Sequence, residues 1–305
     1  MKGLISINGK ICDPQNAVLS PLDRGFLFGD NVFEVFVAFH GKIIDLKEHL
    51  DRLRFSADLI KLQLPWTDEE LEFELKSIAE HSNFPKAYIR LVVTRGEGVG
   101  IRAPEAPSPN RLIYCFPATI EQPRIYQDGV KLKLKSLNFT ERGPNAKTGN
   151  YLRSITAIED ARKDNFDDIL WANSDGEITE SSTSNIFLIG RDQEFVEIAT
   201  PPASSGILLG ITREKIIDLL TRSQIKATIR TIYKDEIPRF DEAFLCSTVR
   251  GLIPIKKIDA HIFHTTRPSS VYHNIARLFM TSLRVTLGME VEWNTGERKK
   301  TPTTT

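Results

Sequence analysis

Two stretches containing glycine and hydroxyl residues have the composition of an anion-binding site. "GILLGITRE" (206–214) places Gly210, Ile211 and Thr212 where we expect a helix to begin. Free backbone N–H groups at a helix start, together with a threonine hydroxyl, can bind a phosphate. In "CSTVRGLIPI" (246–255), Thr248 offers a hydroxyl within a tight turn, and Arg250 could pair with a carboxylate. Taken singly, each stretch is better explained by a capped helix or a polar turn.

An acid and an amine complete the candidate residues. In "GEITESSTSNIF" (176–187), Glu180 projects to the same side of a predicted strand as Ile178. That position favours burial of the carboxylate, which would then need a cationic partner. In "GPNAKTGNYL" (143–152), Lys147 precedes a predicted helix, and Tyr151 supplies an aromatic hydroxyl four residues later. This stretch alone does not distinguish Lys147 from a solvated surface amine.

Other common chemistries find little support. The loop "GEGVG" (96–100) faintly resembles a dinucleotide-binding motif, but "IRAPEAPSP" follows it and cannot form the helix that such a motif needs. A nicotinamide-dependent oxidoreductase is therefore disfavoured. The six histidines (40, 49, 81, 261, 264 and 273) show no metal-ligand spacing, and there is no GxSxG nucleophile motif. We expect no metal site.

The composition is that of a soluble globular protein. The chain has 305 residues, of which 41% are hydrophobic and 26% charged, and its formal net charge is zero. A zero net charge disfavours broad nucleic-acid binding. Cys12, Cys115 and Cys246 are far apart, which predicts neither a disulfide framework nor a zinc site. No secretory signal is recognisable and no apolar run approaches the roughly 18 residues of a membrane span, so we expect a cytoplasmic protein without membrane contact.

The first half predicts an α+β domain of short helices on a mostly antiparallel sheet. Asn8-Gly9 predicts a hairpin, and "VFEVFVAFHGKII" predicts two strands that meet at His40-Gly41. A leucine-rich stripe predicts a helix from 46 to 60, and a capping box at Thr67 and Glu70 opens a second helix. "AYIRLVVTR" and "NRLIYCF" predict two more strands. We assign this domain to residues 1–118 and a linker without periodicity to 119–129.

The second half predicts a larger domain, residues 130–296, followed by a disordered tail, 297–305. "VKLKLKSL" alternates like a half-exposed strand, and a helix after Lys147 carries the apolar stripe Leu152, Ile155, Ile158 and Ala161. A hairpin turns at Asp175-Gly176. "ITREKIIDLLTRS" predicts a helix, "EAFLCST" a buried strand, and "VYHNIARLFMTSLRV" a closing amphipathic helix.

The order of six motifs resembles that of a known family. "RGFLFGDNVFEV", "EHLDRL", "AKTGNYL", "GEITESSTSNIF", "GILLGITRE" and "STVRGLIPI" follow one another as in the class IV aminotransferases, the fold-type-IV pyridoxal phosphate enzymes. The resemblance extends from about Gly3 to Val291. It implies an α+β, two-domain enzyme with a smaller N-terminal α/β-sandwich-like domain and a larger C-terminal domain with a barrel-like sheet. The family includes branched-chain and D-amino-acid aminotransferases, some amine transaminases and aminodeoxychorismate lyase.

The resemblance also implies residue roles. Lys147 would form the Schiff base with pyridoxal phosphate, and Glu180 would pair with the pyridine nitrogen and keep it protonated, which lets the ring draw electrons from the substrate. Lys147 would then shuttle a proton, and a desolvated site beside cations favours its neutral form. The remaining implied contacts are Tyr151 to the phenolic oxygen, Leu208 against the ring face, and Arg52, Ile211, Thr212 and Thr248 to the phosphate.

The substrate side departs from the patterns of the family. Phe33 stands where D-amino-acid aminotransferases carry a tyrosine, and "TRGEGVGIRAPEAP" contains Arg102 without a nearby histidine. We expect Arg102, Arg250 or both to bind the substrate carboxylate, with Phe33 and Phe36 lining an apolar pocket. The resulting hypothesis is an aminotransferase that moves an amino group between an amino acid, either branched-chain L or D, and a 2-oxo acid.

Two alternatives stay open. Aminodeoxychorismate lyase shares the fold and cofactor, and a non-catalytic protein could use the fold for binding alone. Thr248 and the "GNYL" segment are more typical of an aminotransferase, and the joint presence of Lys147, Glu180 and Arg52 disfavours the non-catalytic protein. The resemblance further implies a homodimer, in which a second subunit could supply the Arg102 loop.

Overall fold

The computed structural model describes residues 3–118, 123–140, 143, 145–191 and 195–291. The chain divides into two compact units. Unit 1 comprises Met1–Thr119 and Asn145–Arg153, and unit 2 comprises Ile120–Pro144 and Ser154–Thr305. Lys147 therefore belongs to unit 1 although it follows residues of unit 2 in the chain, and Glu180 belongs to unit 2.

Unit 1 is built on an antiparallel sheet of six strands with helices against one face. The order across the sheet is β2-β1-β6-β5-β3-β4, with every neighbouring pair antiparallel. The elements in chain order are β1 (Leu4–Ile7), β2 (Lys10–Cys12), α1 (Arg24–Phe28), β3 (Asn31–Phe39), β4 (Lys42–Ile43), α2 (Leu46–Leu59), α3 (Asp68–Ser82), β5 (Lys86–Thr94) and β6 (Asn110–Pro117).

Local sequence signals set several of these boundaries, as predicted. Asn8 and Gly9 form the β1–β2 turn with φ angles of 50° and 86°, in the left-handed region that asparagine and glycine tolerate. At the start of α3, the Thr67 hydroxyl accepts from the backbone N–H of Glu70 at 3.2 Å, and the Glu70 carboxylate accepts from the backbone N–H of Thr67 at 2.8 Å. This reciprocal pair confirms the predicted capping box.

Successive residues of β3 face opposite sides of the sheet. Glu34 and Phe36 face α2, where Glu34 contacts His49 and the Phe36 ring lies 4.8 Å from the His49 ring. Phe33 faces the other side and contacts Lys147. The expectation that Phe33 and Phe36 line one pocket is wrong, because residues three apart in a strand point to opposite faces. Phe36 belongs to the core between the sheet and its helices.

Unit 2 is built on a mixed sheet of nine strands that curls into a half-barrel. Its elements are α4 (Pro123–Asp128), β7 (Val130–Ser136), α5 (Leu152–Lys163, which begins in unit 1), β8 (Asp168–Ala172), β9 (Ile178–Ser181), β10 (Asn185–Arg191), β11 (Val196–Thr200), α6 (Ile211–Arg222), β12 (Ala227–Ile229), β13 (Glu242–Ser247), β14 (Gly251–Ile258), β15 (His261–Ile262) and α7 (Val271–Leu287). The order is β12-β11-β10-β13-β14-β7-β8-β9, and β15 pairs with β14.

Strand register brings the candidate residues of unit 2 to one end of this sheet, the edge at which these strands begin or end. Leu170 of β8 pairs with Ser181 of β9, so the start of β8 and the end of β9 lie at the same edge. Asn185 at the start of β10 pairs with Cys246 near the end of β13. Glu180 and the turn that contains Thr248 therefore lie at the ends of strands that reach this edge. Residues distant in sequence become neighbours through pairing alone.

The structure differs from the sequence expectations in two further places. The described part of the predicted linker, from residue 123 onward, contains the helix α4. In α5, the predicted apolar stripe is not a core face throughout, because Leu152 and Ile155 are 75% and 54% exposed whereas Ala161 is buried. Residues 119–122 and the predicted tail, 297–305, lie outside the described residues. The domain limits 1–118 and 130–296 stay predictions.

Candidate active site

Lys147 is fixed against the edge of β3. The backbone N–H of Phe33 donates to the Lys147 carbonyl at 3.0 Å, and Val32 forms an antiparallel bridge with Thr148. The backbone N–H of Lys147 donates to the Ser56 hydroxyl of α2 at 3.1 Å. Lys147 thus lies in an extended segment that is held from two sides, which defines where its amine can reach.

Three polar side chains lie around the Phe33 ring on the sheet face opposite α2. The Lys147 Nζ lies 4.5 Å from the ring centroid, the Arg90 Cζ lies 3.8 Å from it, and the Tyr151 ring centroid is 5.8 Å away. The structure therefore brings together the predicted residues Phe33, Lys147 and Tyr151. Arg90 is a cation that the sequence reasoning missed. The alternation of "AYIRLVV" could have revealed it, because Arg90 falls out of phase with the buried Ile89.

Arg52 reaches an unpredicted partner. Its Nε and Nη2 donate to the two oxygens of Glu34 at 2.7 and 2.8 Å, and the His49 Nδ1 lies 2.7 Å from Glu34 Oε2. Glu34 is fully buried. Burial alone would raise the pKa of Glu34, but the positive charge of Arg52 and the hydrogen bonds from Arg52 and His49 outweigh it and lower the pKa to about 2. Glu34 is ionised at neutral pH and accepts from both neighbours.

The position of Arg52 links this buried pair to Lys147. Arg52 and Ser56 lie one turn apart on α2, and the Ser56 hydroxyl accepts from the Lys147 backbone. Glu34 could have been suspected from sequence, because it is a lone charge within the apolar strand "VFEVFVAF". A buried carboxylate of this kind requires a cationic partner.

Glu180, at the end of β9, has both oxygens held by neighbours in unit 2. The Leu208 backbone N–H donates to Oε1 at 3.2 Å, and the Asn185 Nδ2 donates to Oε2 at 2.9 Å. The same Asn185 Nδ2 donates to the Leu208 carbonyl at 2.9 Å. The predicted residues Glu180 and Leu208 are therefore neighbours. Asn185, which the sequence reasoning missed, connects them.

The start of α6 lies against Asn185. Gly210 is the N-cap residue and supplies no side-chain cap, Ile211 is the first helical residue, and Thr212 is buried. A Cβ on Gly210 would lie 1.8 Å from Asn185 Oδ1, so only glycine fits this approach. The carboxylate of Glu180 and the positive end of the α6 dipole consequently share a neighbour.

Arg250 lies in the turn between β13 and β14, two residues after Thr248. Its Nη2 is 3.9 Å from Asp168 Oδ2, too far for a hydrogen bond, and burial raises the pKa of Asp168. Among the described residues, the buried Nε and Nη2 of Arg250 have no hydrogen-bond partner. The Tyr126 hydroxyl donates to the Arg250 carbonyl at 2.9 Å. A fixed backbone thus presents two buried donors that suit an anionic ligand.

Arg102 lies in the loop between β5 and β6, and its side chain is exposed. The buried Arg24 holds the loop backbone by donating to the carbonyls of Gly100, Ile101 (3.1 Å) and Arg102 (3.2 Å). Its Nε donates to Asp30 at 2.8 Å. The loop that carries Arg102 is therefore anchored, while the Arg102 side chain is left to solvent.

The described residues contain neither a metal-ligand cluster nor a membrane-spanning helix. No group of three or more histidine, cysteine, aspartate or glutamate side chains in that part of the chain could hold a metal ion. Among the same residues, no helix has the length and apolar character needed to cross a bilayer.

Comparison with known proteins identifies the family. The sequence model of the family described as amino-transferase class IV matches residues 31–258. A putative branched-chain-amino-acid aminotransferase of Methanocaldococcus jannaschii is 30% identical over 291 residues, covering 94% of this chain and 98% of that protein. A D-alanine aminotransferase of Bacillus licheniformis is 27% identical over 287 residues, covering 92% and 96%.

Solved structures agree on the fold. A branched-chain aminotransferase from Thermoproteus uzoniensis matches with a TM-score of 0.82 at 27% identity, covering 95% of this chain and 96% of that one. A 4-amino-4-deoxychorismate lyase from Pseudomonas aeruginosa shares the fold with a TM-score of 0.77 at 24% identity, covering 93% and 99%. The predicted fold-type-IV, α+β architecture is confirmed. The chain belongs to the class IV aminotransferase family of pyridoxal-phosphate-dependent enzymes.

Proposed function

We propose that the protein is an aminotransferase that moves an amino group between an amino acid and a 2-oxo acid with pyridoxal phosphate attached through Lys147. The observation that carries this proposal is the placement of the Lys147 amine over the Phe33 ring, with the guanidinium of Arg90 over the same ring. As a free amine, Lys147 would be the nucleophile and the proton acceptor of this reaction.

Each unit, taken by itself, contains residues whose chemistry fits the cofactor. In unit 2, the Glu180 carboxylate, held by Leu208 and Asn185, would bind the ring nitrogen. The uncapped start of α6 at Ile211 and Thr212 would bind the phosphate, whose negative charge suits a helix N-terminus. When bound, pyridoxal phosphate supplies an electron sink for the substrate α-carbon.

Further phosphate and ring contacts follow the same reasoning. Thr248 would donate its hydroxyl to the phosphate, and Leu208 would pack on the ring face. In unit 1, Tyr151 would donate its phenol to the phenolic oxygen of the cofactor, and Arg52 would donate to the phosphate. Because Glu34 already accepts two donors of Arg52, this guanidinium is oriented before any ligand binds.

The cofactor assignment has a direct test. Apoprotein incubated with pyridoxal phosphate and then separated from unbound cofactor by gel filtration should keep an absorbance band near the visible edge, and Lys147→Ala should lose it while the far-UV circular dichroism is unchanged. Lys163→Ala is a matched control, because this lysine lies on the exposed surface of α5. An unchanged band in the Lys147 variant would contradict the assignment. A colourless wild-type protein would favour the non-catalytic alternative.

Substrate acids would bind at the arginines that the structure leaves available. Arg250 is favoured because two of its donors are buried without a hydrogen-bond partner among the described residues, and Arg102 is the second candidate. Losing a charged hydrogen bond costs about 1.5–3 kcal/mol, so Arg250→Ala should raise KM for amino or oxo acids about 10- to 100-fold. Arg222→Ala, at an exposed arginine of α6, should leave KM unchanged. If the Arg250 and Arg102 variants both keep the wild-type KM for acids and simple amines are turned over well, carboxylate recognition by these arginines is refuted.

The proposed amino donor is either a branched-chain L-amino acid or a D-amino acid. The relatives include a branched-chain enzyme and a D-alanine enzyme by name, which supports testing both branched-chain L- and D-amino acids. A panel of L- and D-donors against 2-oxoglutarate and pyruvate, read by product chirality, decides the stereochemistry. Formation of 4-aminobenzoate from aminodeoxychorismate without any transamination would replace the proposed reaction by the lyase reaction.

A homodimer is also part of the proposal, and we expect it to act in the cytoplasm. Phe26 of α1 and Val99 and Ile101 of the loop between β5 and β6 are 75%, 75% and 82% exposed, and burial of such exposed apolar side chains would favour association. Phe26→Ser combined with Ile101→Ser should shift the mass measured by light scattering from dimer to monomer. Phe73→Ser, at an equally exposed phenylalanine of α3, is the control. A monomeric wild-type protein would refute this part.

A further inference from the structure

We propose that Asn185 is a positioning residue that sets the orientation of Glu180 and its spacing from the start of α6. The inference rests on the proposed function, in which Glu180 binds the ring nitrogen of pyridoxal phosphate and the α6 start binds the phosphate. Asn185 itself touches neither group of the cofactor in this proposal. It acts through the residues that do.

The amide of Asn185 is shared between two neighbours. Its Nδ2 carries two hydrogens, and these go to Glu180 Oε2 and to the Leu208 carbonyl, each at 2.9 Å. The Leu208 backbone N–H in turn donates to Glu180 Oε1 at 3.2 Å. The three residues therefore form a closed set of hydrogen bonds. Asn185 is only 5% exposed, so solvent does not replace its donors if they are lost.

The other end of the amide lies against the phosphate side of the proposed site. Asn185 Oδ1 occupies the space that a Cβ of Gly210 would fill, at 1.8 Å. Gly210 is the N-cap of α6. One buried side chain thus contacts the ring-nitrogen acid, the segment assigned to the ring face and the start of the phosphate-binding helix.

This arrangement matters because one cofactor must meet both groups. Its ring nitrogen and phosphate are joined through the ring and one short methylene ester arm, so the acid and the helix start must keep their separation within about 0.5 Å to serve both well. A donated hydrogen bond also favours the ionised form of a carboxylate. Without Asn185, Glu180 should lose orientation and part of its preference for a protonated ring nitrogen.

The chain offers a matched structural control. Asn173 Nδ2 donates to Glu177 Oε2 at 2.7 Å, and both residues are buried. This pair lies at the turn between β8 and β9, the opposite end of the strands from Glu180. Asn173→Ala removes the same kind of bond from the other end of the hairpin that carries Glu180. It should destabilise the fold without altering recognition of a ring nitrogen.

The test compares pyridoxal phosphate with 1-deaza-pyridoxal phosphate, in which a carbon replaces the ring nitrogen. Dissociation constants for both are measured on wild-type, Asn185→Ala and Asn173→Ala apoproteins by quenching of intrinsic fluorescence. Wild type and Asn173→Ala should prefer pyridoxal phosphate by the same ratio. Asn185→Ala should bind pyridoxal phosphate about tenfold more weakly, because Glu180 loses a hydrogen bond to its charged group, and should lose most of the preference. Asn185→Leu, which keeps the side-chain volume without the donors, gives the same measurement should the alanine variant not fold.

Each outcome has a defined meaning. An unchanged preference in both Asn185 variants overturns the positioning role while leaving the proposed function intact. An equal loss in the Asn173 variant also overturns it, because the effect would then follow any buried asparagine–glutamate pair. Failure of wild type to bind either compound, or to retain a borohydride-stable adduct, overturns the proposed function first and the inference with it.

Discussion

The buried pair of Glu34 and Arg52 gives the sharpest stability prediction. Glu34→Gln keeps the shape of the side chain but removes its charge, so the guanidinium of Arg52 loses the bidentate partner that it contacts at 2.7 and 2.8 Å. Breaking a buried pair by removing one partner leaves a poorly compensated charge. The variant should fold but should be markedly less stable than wild type.

The magnitude follows from the pKa of Glu34. That pKa falls from 4.5 to about 2 in the folded protein, and each pKa unit corresponds to about 1.4 kcal/mol. The ionised side chain therefore stabilises the fold by about 3 kcal/mol near neutral pH, within the range of about 3–5 kcal/mol measured for broken buried pairs. Because the folded pKa lies below the unfolded one, this contribution is complete above about pH 4.5. It is lost as the pH falls toward 2.

The assay is urea unfolding followed by circular dichroism between pH 7 and pH 3. Glu34→Gln should lower the free energy of unfolding by about 3 kcal/mol at pH 7, and the difference from wild type should shrink at pH 3. Glu72→Gln is the control, because Glu72 forms a surface pair with Lys76 at 2.8 Å that should contribute less than about 1 kcal/mol. Equal losses in the two variants, or a difference that does not depend on pH, would refute the reasoning.

Three further variants test other features. Gly210→Ala should cost about 1–3 kcal/mol in urea unfolding and weaken cofactor binding, because its Cβ would collide with Asn185; unchanged binding would contradict the close approach. Arg24→Gln should speed tryptic cleavage after Arg102, because the loop loses its backbone anchor; an unchanged digestion rate would show that other contacts hold the loop. Thr67→Ala should lower stability by about 1 kcal/mol through loss of the capping box, and a change below about 0.3 kcal/mol in urea unfolding would contradict that value.

Features that depend on residues close together in the sequence could be predicted from it. The β1–β2 turn needs left-handed conformations that asparagine and glycine adopt easily, and the α3 start needs only Thr67 and Glu70. The order of the motifs indicates the family, and with it the candidate site residues. Lys147 stands out only through this resemblance, since its own stretch resembles any surface loop.

Features that depend on strand register could not be predicted in the same way. Arg90 lies over Phe33 because β3 pairs antiparallel with β5, and Asn185 reaches Glu180 and Leu208 because a hairpin and a distant turn converge. A sequence shows the types of these residues but not their neighbours. The apolar stripe of α5 is only partly buried, for a related reason. Periodicity shows which residues share a helix face, but not whether another element covers that face.

Trapping the cofactor on the protein tests the central claim most directly. Apoprotein saturated with pyridoxal phosphate is reduced with borohydride, digested, and mapped by mass spectrometry. The proposed function predicts one stoichiometric phosphopyridoxyl adduct on the peptide that contains Lys147, and none on that peptide in Lys147→Ala. An absent adduct, or labelling spread over exposed lysines with Lys147 unmodified, would contradict it.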